Sequence, residues 1–276
     1  MELQATLQNI HLFSPDPLTM ARFYSSTYGL SVDTVEGGFT CKGPARKVQI
    51  TKGAANQLGH AQFGLSTPEA WQSFRQRVQG LNHKPLPGVC KGVADAIALC
   101  DPDGNLMVFT PPTASAGMTQ NPALPPATLQ HFALRTPHIS DMLAFYTEQL
   151  GFVLSDSVRD PEGNLRACFL RVDGLHHALA LFFAPVSCFD HHSFETLDWA
   201  SMKTWGDHMA ACRTPIVWGI GRHGPGNDVF FMVRDPDNNL VEISAELEHC
   251  TADRPVGEWA HEERTLNLWG KAILRS

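Results

Sequence analysis

The 276-residue chain has no CxxC pair among its seven scattered cysteines, Cys41, Cys90, Cys100, Cys168, Cys188, Cys212 and Cys250. That absence, with an odd count, excludes a disulfide framework and a zinc knuckle, and it fits a reducing cytoplasm. No run is long and apolar enough to span a bilayer, and the opening MELQATLQNIHLF lacks a basic region ahead of an apolar one, so a soluble, non-exported protein with no membrane partner is expected. Lysine and arginine do not cluster, and the formal charge is -7. A nucleic-acid partner, which calls for a basic face, is thereby disfavoured, and small-molecule chemistry is expected instead.

What the chain does have is a repeat. LQNIHLFSPDPLTMARFYSSTYGL (7–30) and LQHFALRTPHISDMLAFYTEQLGF (129–152) align in register. In each copy a short strand leads through a proline break to a helix with one apolar face, stopped by Gly29 or Gly151. Met20, Phe23, Tyr24 and Tyr28 form that face in one copy, Met142, Phe145, Tyr146 and Leu150 in the other. Further on, GHAQFGLST (59–67) and DHHSFETLD (190–198) precede helices, the first running from Pro68 to about Gly80. Each half then closes in a DPD-turn hairpin, ALCDPDGNLMVFT (98–110) and VFFMVRDPDNNLVEIS (229–244). The strands of the latter are expected over 229–234 and 240–244.

This periodicity predicts an α+β fold of tandem βαβββ modules, two per domain, forming two cup-like half-barrel domains. The domains are expected at 1–113 and 128–250, joined by a Pro- and Ala-rich linker at 114–127. The tail, 251–276, is too apolar to hang free, with Trp259, Leu266, Leu268, Trp269, Ile273 and Leu274. It is expected to pack on its own domain or on a neighbouring subunit.

Comparing the halves isolates three positions of metal-ligand type. Asn9 aligns with His131, Ala61 with His192 and Val108 with Glu242, at offsets of 122, 131 and 134 residues that drift only by loop length. A lone strand histidine is more often a core or surface residue than a ligand, and a lone strand glutamate is more often solvated. Three such residues in register favour a metal. His191 competes with His192 for the second place; matching H-x-x-F at His60 with that at His191 sets Ala61 against His192 and favours the latter. Two imidazoles and one carboxylate with other positions open form the facial triad of non-haem Fe(II) oxygenases. His176 and His177 open an alternating strand, and His223 lies in the glycine-rich IGRHGPGND loop; each is either a surface histidine or an acid or base at physiological pH. Ala133, Phe169, Trp218 and Met232 are candidate substrate walls, although strand spacing suits plain core equally well.

LQHFAL, GLHHALAL, DHHSFE, GRHG and FFMVRDPDNNLVEIS, in this order and spacing, resemble the vicinal oxygen chelate (glyoxalase/bleomycin resistance/dioxygenase) superfamily. Within it they are similar to type I extradiol ring-cleavage dioxygenases of the catechol 2,3-dioxygenase kind. The resemblance covers about Leu7 to Glu248. It implies His131, His192 and Glu242 as ligands of Fe(II), with Mn(II) a less common occupant, and a catechol-type diol and O2 as the small-molecule partners. It implies His177 as the acid/base that assists O2 attack and His223 as the hydrogen-bond partner of the bound substrate oxygen. A homo-oligomer is expected, with the first half as a structural and oligomerisation domain without a metal. Two departures stand out. Met232 occupies the place of the family's usual tyrosine ten residues before the glutamate, and Trp218 that of an arginine five residues before the loop histidine. A thioether cannot donate the tyrosine's hydrogen bond, so an O2-independent isomerase or lyase of the same superfamily, or a non-catalytic binder of aromatic ligands, stands as an alternative.

Overall fold

The computed structural model describes residues 3–86, 95–113 and 123–273. The first sheet comprises β1 (Ala5–Ser14), β2 (Ser31–Val35), β3 (Gly38–Gly43), β4 (Arg46–Lys52), β5 (Leu58–Leu65), β6 (Ile97–Cys100) and β7 (Leu106–Thr110). Its order is β2-β3-β4-β1-β5-β7-β6. The second comprises β8 (Ala127–Thr136), β9 (Val153–Arg159), β10 (Leu165–Arg171), β11 (Leu179–Phe183), β12 (Cys188–Thr196), β13 (Ile216–Arg222), β14 (Val229–Arg234), β15 (Leu240–Ala245) and β16 (Gly257–Ala260). Its order is β13-β14-β15-β12-β8-β11-β10-β9-β16. The run β4-β1-β5-β7 in one sheet matches β11-β8-β12-β15 in the other, with an antiparallel central pair flanked by parallel neighbours. Each sheet thus contains the same paired-module pattern.

Helices cover the faces that the cups leave free. In α1 (Pro17–Tyr28), Asp16 accepts from the Thr19 amide, Pro17 opens the first turn, and Gly29 at φ 65° closes the helix; a residue without Cβ takes that left-handed cap at no steric cost. α2 (Pro68–Arg77) is shorter than the expected span to Gly80, its cap falling at Val78. The second-half counterpart of α1 is α3 (Ile139–Ala144), which lacks a side-chain cap and loosens into a π-helical turn at Phe145–Leu150 before Gly151. α4 (Trp199–Ala211) starts at Asp198, whose carboxylate accepts from the Ser201 amide.

One apolar core is shared by both halves. Phe63 stands 6.2 Å from Phe132 and packs edge-on to Phe152, and Tyr28 packs on Phe194. The repeat also crosses over. Tyr146, from the helix of the second half, donates to Asp101 in the first half's DPD turn at 2.9 Å, and Tyr24 of the first half lies close to Asp235 in the second half's turn, its hydroxyl 3.5 Å from His192 Nε2. The Asp101 carboxylate thus receives a buried hydroxyl that would otherwise lack a partner.

The tail packs on its own chain. β16 adds to the sheet beside β9, and α5 (Glu263–Leu266) carries Leu266 into the apolar cluster of the second cup with Trp259, Ala272 and Ile273. Burying a side chain such as Leu266 stabilises the covered state by about 1.5–3 kcal/mol. Leu274 and residues 114–122 of the expected linker lie outside the described residues. Among the described residues no helix is long and apolar enough to cross a membrane.

Candidate metal centre

Strand alternation builds the centre. Reading across the second sheet, Trp218, Met232, Glu242, Ser193 and His131 are successive cross-strand partners in one row. The next row runs Leu240, His191, Ala133, Ala180, Phe169. Residues of both rows point into the cup, while Phe132, Phe194, Val241, Ile243 and Phe231, offset by one along their strands, point into the shared core. A period of two leaves no other arrangement.

That period corrects the second ligand. His131, His191 and Glu242 bring donor atoms within 4.8 Å of one another; His192 is not among them. It shares a face with Phe194, buried against Tyr24, Phe189 and Phe194, with its Nε2 3.5 Å from the Tyr24 hydroxyl and its Nδ1 without a partner. Burial, with a small contribution from His191, lowers its pKa to about 3. Matching Ala61 to His192 is sound as register, since both sit in the shared core. It is the face that differs. The true counterpart of His191 is His60, which means that the first half is not blank at this position. There His60 hydrogen bonds with Asn9 and His11, and among the described residues no group of three metal-type donors forms around it.

The three donors fit a cation. His191 donates from Nδ1 to Asp190 Oδ1 at 2.6 Å. Gln130 gives its amide hydrogen to the His177 carbonyl, so its oxygen accepts from His131 Nδ1. With both Nδ1 atoms protonated, the two Nε2 atoms present lone pairs to each other at 3.1 Å. Two facing lone pairs repel unless a positive charge lies between them. Glu242 is fully buried; its Oε1 accepts from Ser193 at 3.2 Å, while Oε2 has no hydrogen-bond partner and stands 3.8 Å from His191 Nε2. Burial and the neighbouring imidazoles hold His131 well below the usual histidine range, which keeps it in the neutral form that ligation needs.

A small pocket opens over the centre, lined by His131, Phe169, His177, Ala180, Phe182, His191, Trp218, His223, Pro225, Met232 and Leu266. Phe169, Trp218 and Met232 therefore stand where walls were expected; Ala133 is packed in the apolar cluster beside them and does not line the space. The His177 ring is 4.4 Å from that of His131, and its Nδ1 meets His176 Nδ1 at 3.0 Å. His176 Nε2 lies 3.3 Å from Asp156, at ion-pair distance but outside hydrogen-bond alignment. Burial, reinforced by His176, His223 and His191, keeps His177 well below its ordinary pKa.

His223 is set differently. Its ring stacks on Phe230 at 3.7 Å, Nδ1 donates to the Leu266 carbonyl at 2.6 Å, and Nε2 points toward Glu242 Oε2 at 3.8 Å. Burial opposes its charge, but Asp228 and Glu242 outweigh burial and raise its pKa. Asp228 is buried with no hydrogen bond to either oxygen, and burial and Glu242 raise its pKa against the pull of His223. Sequence reasoning missed Asp228, Asp190, Gln130 and Leu266; only the parity of His192 with Phe194 offered a signal, and it pointed to His191.

Residues 128–243 match the model of the Glyoxalase/Bleomycin resistance protein/Dioxygenase superfamily. The match falls on the half of the chain that holds the centre. Among similar proteins, Metapyrocatechase 2 of Cupriavidus necator is 29% identical over 195 residues, 63% of this chain and 60% of that one. 3-Methylcatechol 2,3-dioxygenase of Pseudomonas putida is 27% identical, with 87% of each chain covered. Biphenyl-2,3-diol 1,2-dioxygenase of a Pseudomonas species is 35% identical over 52% of this chain, half of its own length. The superfamily fold extends over both halves. The substrate complex of homoprotocatechuate 2,3-dioxygenase from Brevibacterium fuscum with 3,4-dihydroxyphenylacetate superposes with a TM-score of 0.82 and 25% identity, covering 99% of this chain and 90% of that one. A Mn(II)-bound glyoxalase from Novosphingobium aromaticivorans shares the fold at a TM-score of 0.82 and 22% identity, covering 98% and 92%.

Proposed function

We propose that the protein is an extradiol ring-cleavage dioxygenase, which breaks the carbon–carbon bond beside a catechol-type diol and leaves both atoms of O2 in the product. The observation that carries the reading is the convergence of His131, His191 and Glu242 beneath a pocket with largely apolar walls. Those three residues would hold Fe(II), with Mn(II) as the alternative occupant. Bound there, the ion supplies Lewis acidity toward the diol oxygens and a common template for diol and O2.

The surrounding residues divide the proton work. His177, kept neutral and anchored through Nδ1, accepts a proton at Nε2 as the diol ionises and returns it later in the cycle. His223, favoured in its charged form by Asp228 and Glu242, donates from Nε2 to a substrate oxygen seated beside Glu242. Its fixed Nδ1–Leu266 bond and the Phe230 stack leave the ring one orientation. Met232 sits directly across from Glu242 and gives no hydrogen bond, so His223 carries that task alone among the described residues lining the cavity.

The walls also indicate the substrate class. Phe169, Ala180, Phe182, Trp218, Met232 and Leu266 are apolar, and no lysine or arginine is among the described lining residues. An acidic ring substituent set against those apolar walls would be desolvated at a cost of several kcal/mol; a small uncharged one is favoured. Anaerobically prepared, Fe(II)-loaded protein should consume O2 and form yellow product with catechol or 3-methylcatechol in preference to 3,4-dihydroxyphenylacetate. Iron-loaded protein that yields no product from any of these would refute the activity, and turnover under strict anaerobiosis would favour an isomerase or lyase instead.

A further inference from the structure

Each of the two histidine ligands follows a β-bulge. In the pairing of β8 with β12, Gln130 is passed over between Leu129 and His131, and Asp190 between Phe189 and His191. A bulged residue escapes the alternation of its strand, so its side chain and that of the next residue can reach toward each other. Gln130 meets the Nδ1 of His131, and Asp190 meets the Nδ1 of His191. The two supports are unequal. Gln130 offers a neutral amide, whereas Asp190 offers a carboxylate whose side chain is fully buried and whose second oxygen receives Arg135 Nε at 2.6 Å.

The first half supplies an internal comparison. β1 and β5 carry bulges at the matching places, Gln8 and Gly59. At Gly59 there is no side chain to hold His60, and a Cβ there would lie 2.3 Å from His11 Nδ1. His60 bonds instead to His11 and Asn9, and no group of three donors forms around it among the described residues. The same strand, the same bulge and the same histidine therefore occur with and without a carboxylate, and only the half that has one assembles the cluster.

We propose that Asp190, buttressed by Arg135, is a positioning residue that locks His191 with its proton on Nδ1 and its Nε2 lone pair on the metal, and so sets the affinity of the centre. A carboxylate on the far nitrogen also makes the imidazole a stronger donor, and losing such a partner weakens metal binding by about 10- to 100-fold. The inference rests on the reading of His131, His191 and Glu242 as ligands. Its test is Fe(II) affinity, measured anaerobically on apoprotein by competition with a chromophoric chelator. Asp190→Ala should bind Fe(II) about 10- to 100-fold more weakly, and Asp190→Asn, which keeps an oxygen at Nδ1, should recover most of the loss while the melting temperatures of both metal-free variants stay close together. Wild-type affinity in Asp190→Ala would overturn the role of Asp190 alone; absence of Fe(II) binding by the wild-type chain would overturn the ligand assignment as well. Should Asp190→Ala not fold, ring tautomers in the metal-free wild type, read by long-range proton–nitrogen NMR correlation, decide the matter: His191 protonated at Nδ1 is expected, and protonation at Nε2 would overturn the proposal.

Discussion

The adjacent histidines of β12 give opposite predictions under substitution. His191 faces the cavity and His192 faces the shared core, so His191→Ala should remove metal binding and His192→Leu should leave it intact. An Fe(II) concentration about 1,000 times the dissociation constant stabilises the folded chain by about 4 kcal/mol. For a cooperative unit of this size each kcal/mol moves the melting temperature by about 2–4 °C, so the wild type should melt roughly 8–16 °C higher with Fe(II) than without. His191→Ala should lose most of that difference. His192→Leu should keep it, and its metal-free baseline should not fall. The reason is that His192 Nδ1 is buried without a partner and its Nε2 contact with Tyr24 is a long 3.5 Å. An unsatisfied buried group costs about 1–3 kcal/mol, which an apolar side chain of similar size does not incur. Leucine there should be neutral or raise the baseline by a few degrees. The assay is anaerobic scanning calorimetry of both variants with and without Fe(II). An Fe(II)-dependent rise that survives His191→Ala and vanishes in His192→Leu would refute the face assignment.

Other changes follow from the same geometry. His177→Asn should lower kcat by about 10²- to 10⁴-fold while Fe(II) affinity, read by chelator competition, stays within a few-fold. Met232→Tyr places a phenol opposite Glu242 and Trp218; a hydrogen bond to a charged oxygen is worth about 1.5–3 kcal/mol against about 1–3 kcal/mol for overpacking, so kcat for catechol should rise while the metal-free melting temperature falls. In the first half, burial lowers His60 from 6.5 to about 3. The unfolded chain therefore takes up a proton below pH 6.5 that the folded chain refuses, and stability is lost as pH falls from there toward 3. Replacing His60 by Asn should flatten the dependence of unfolding free energy on pH between about 6 and 4 by roughly 1.4 kcal/mol per pH unit, measurable by urea titration at several pH values; an unchanged slope would show that His60 is not held neutral.

Much of the fold was legible because the chain states it twice. Gly29 and Gly151, the four-residue spacing of Tyr24 and Tyr28, and the paired DPD turns are local signals whose meaning does not depend on distant contacts. Glu242 was legible for the same reason, since Val108 shows the position without its carboxylate. His192 failed where local register and sheet face part company. The repeat fixes which residues correspond, but which of two neighbouring histidines turns into the cup depends on the strand's parity, which Phe194 carries and the alignment with Ala61 does not. Asp190 and Gln130 were beyond reach because bulges are set by cross-strand pairing, and a single strand's sequence does not announce where its partner skips a residue. The tail was half legible: its apolar side chains demanded a partner, but that the Leu266 carbonyl would hold His223 is visible only with both in place.

Among the described residues, groups of three metal-type donors form only in the second cup. Both cups contain strand histidines at matched places, so a histidine alone does not make the site. In the first cup Asn9 donates to Gln49 at 2.7 Å and lies 3.1 Å from His60, and His11 meets Thr51 at 2.7 Å. Those bonds satisfy the ring nitrogens with protein partners and leave no convergent lone pairs. In the second, Ala180 stands at the position of Gln49 and Ala133 at that of His11. Two small residues cannot fill the space or supply competing hydrogen bonds, so the two ligand Nε2 atoms face each other at 3.1 Å, Glu242 Oε2 has no hydrogen-bond partner, and a pocket persists above them. Removing polar side chains around the ligands is therefore as much a part of building the centre as placing the ligands. Ala180→Gln should accordingly act without touching a ligand: an amide placed there would bond to His191 or His131 as Gln49 does to Asn9, and Fe(II) affinity should fall by at least tenfold, the equivalent of about 1.4 kcal/mol. Wild-type affinity in that variant, measured by chelator competition on folded apoprotein, would show that the emptiness of the second cup is not what keeps its donors available.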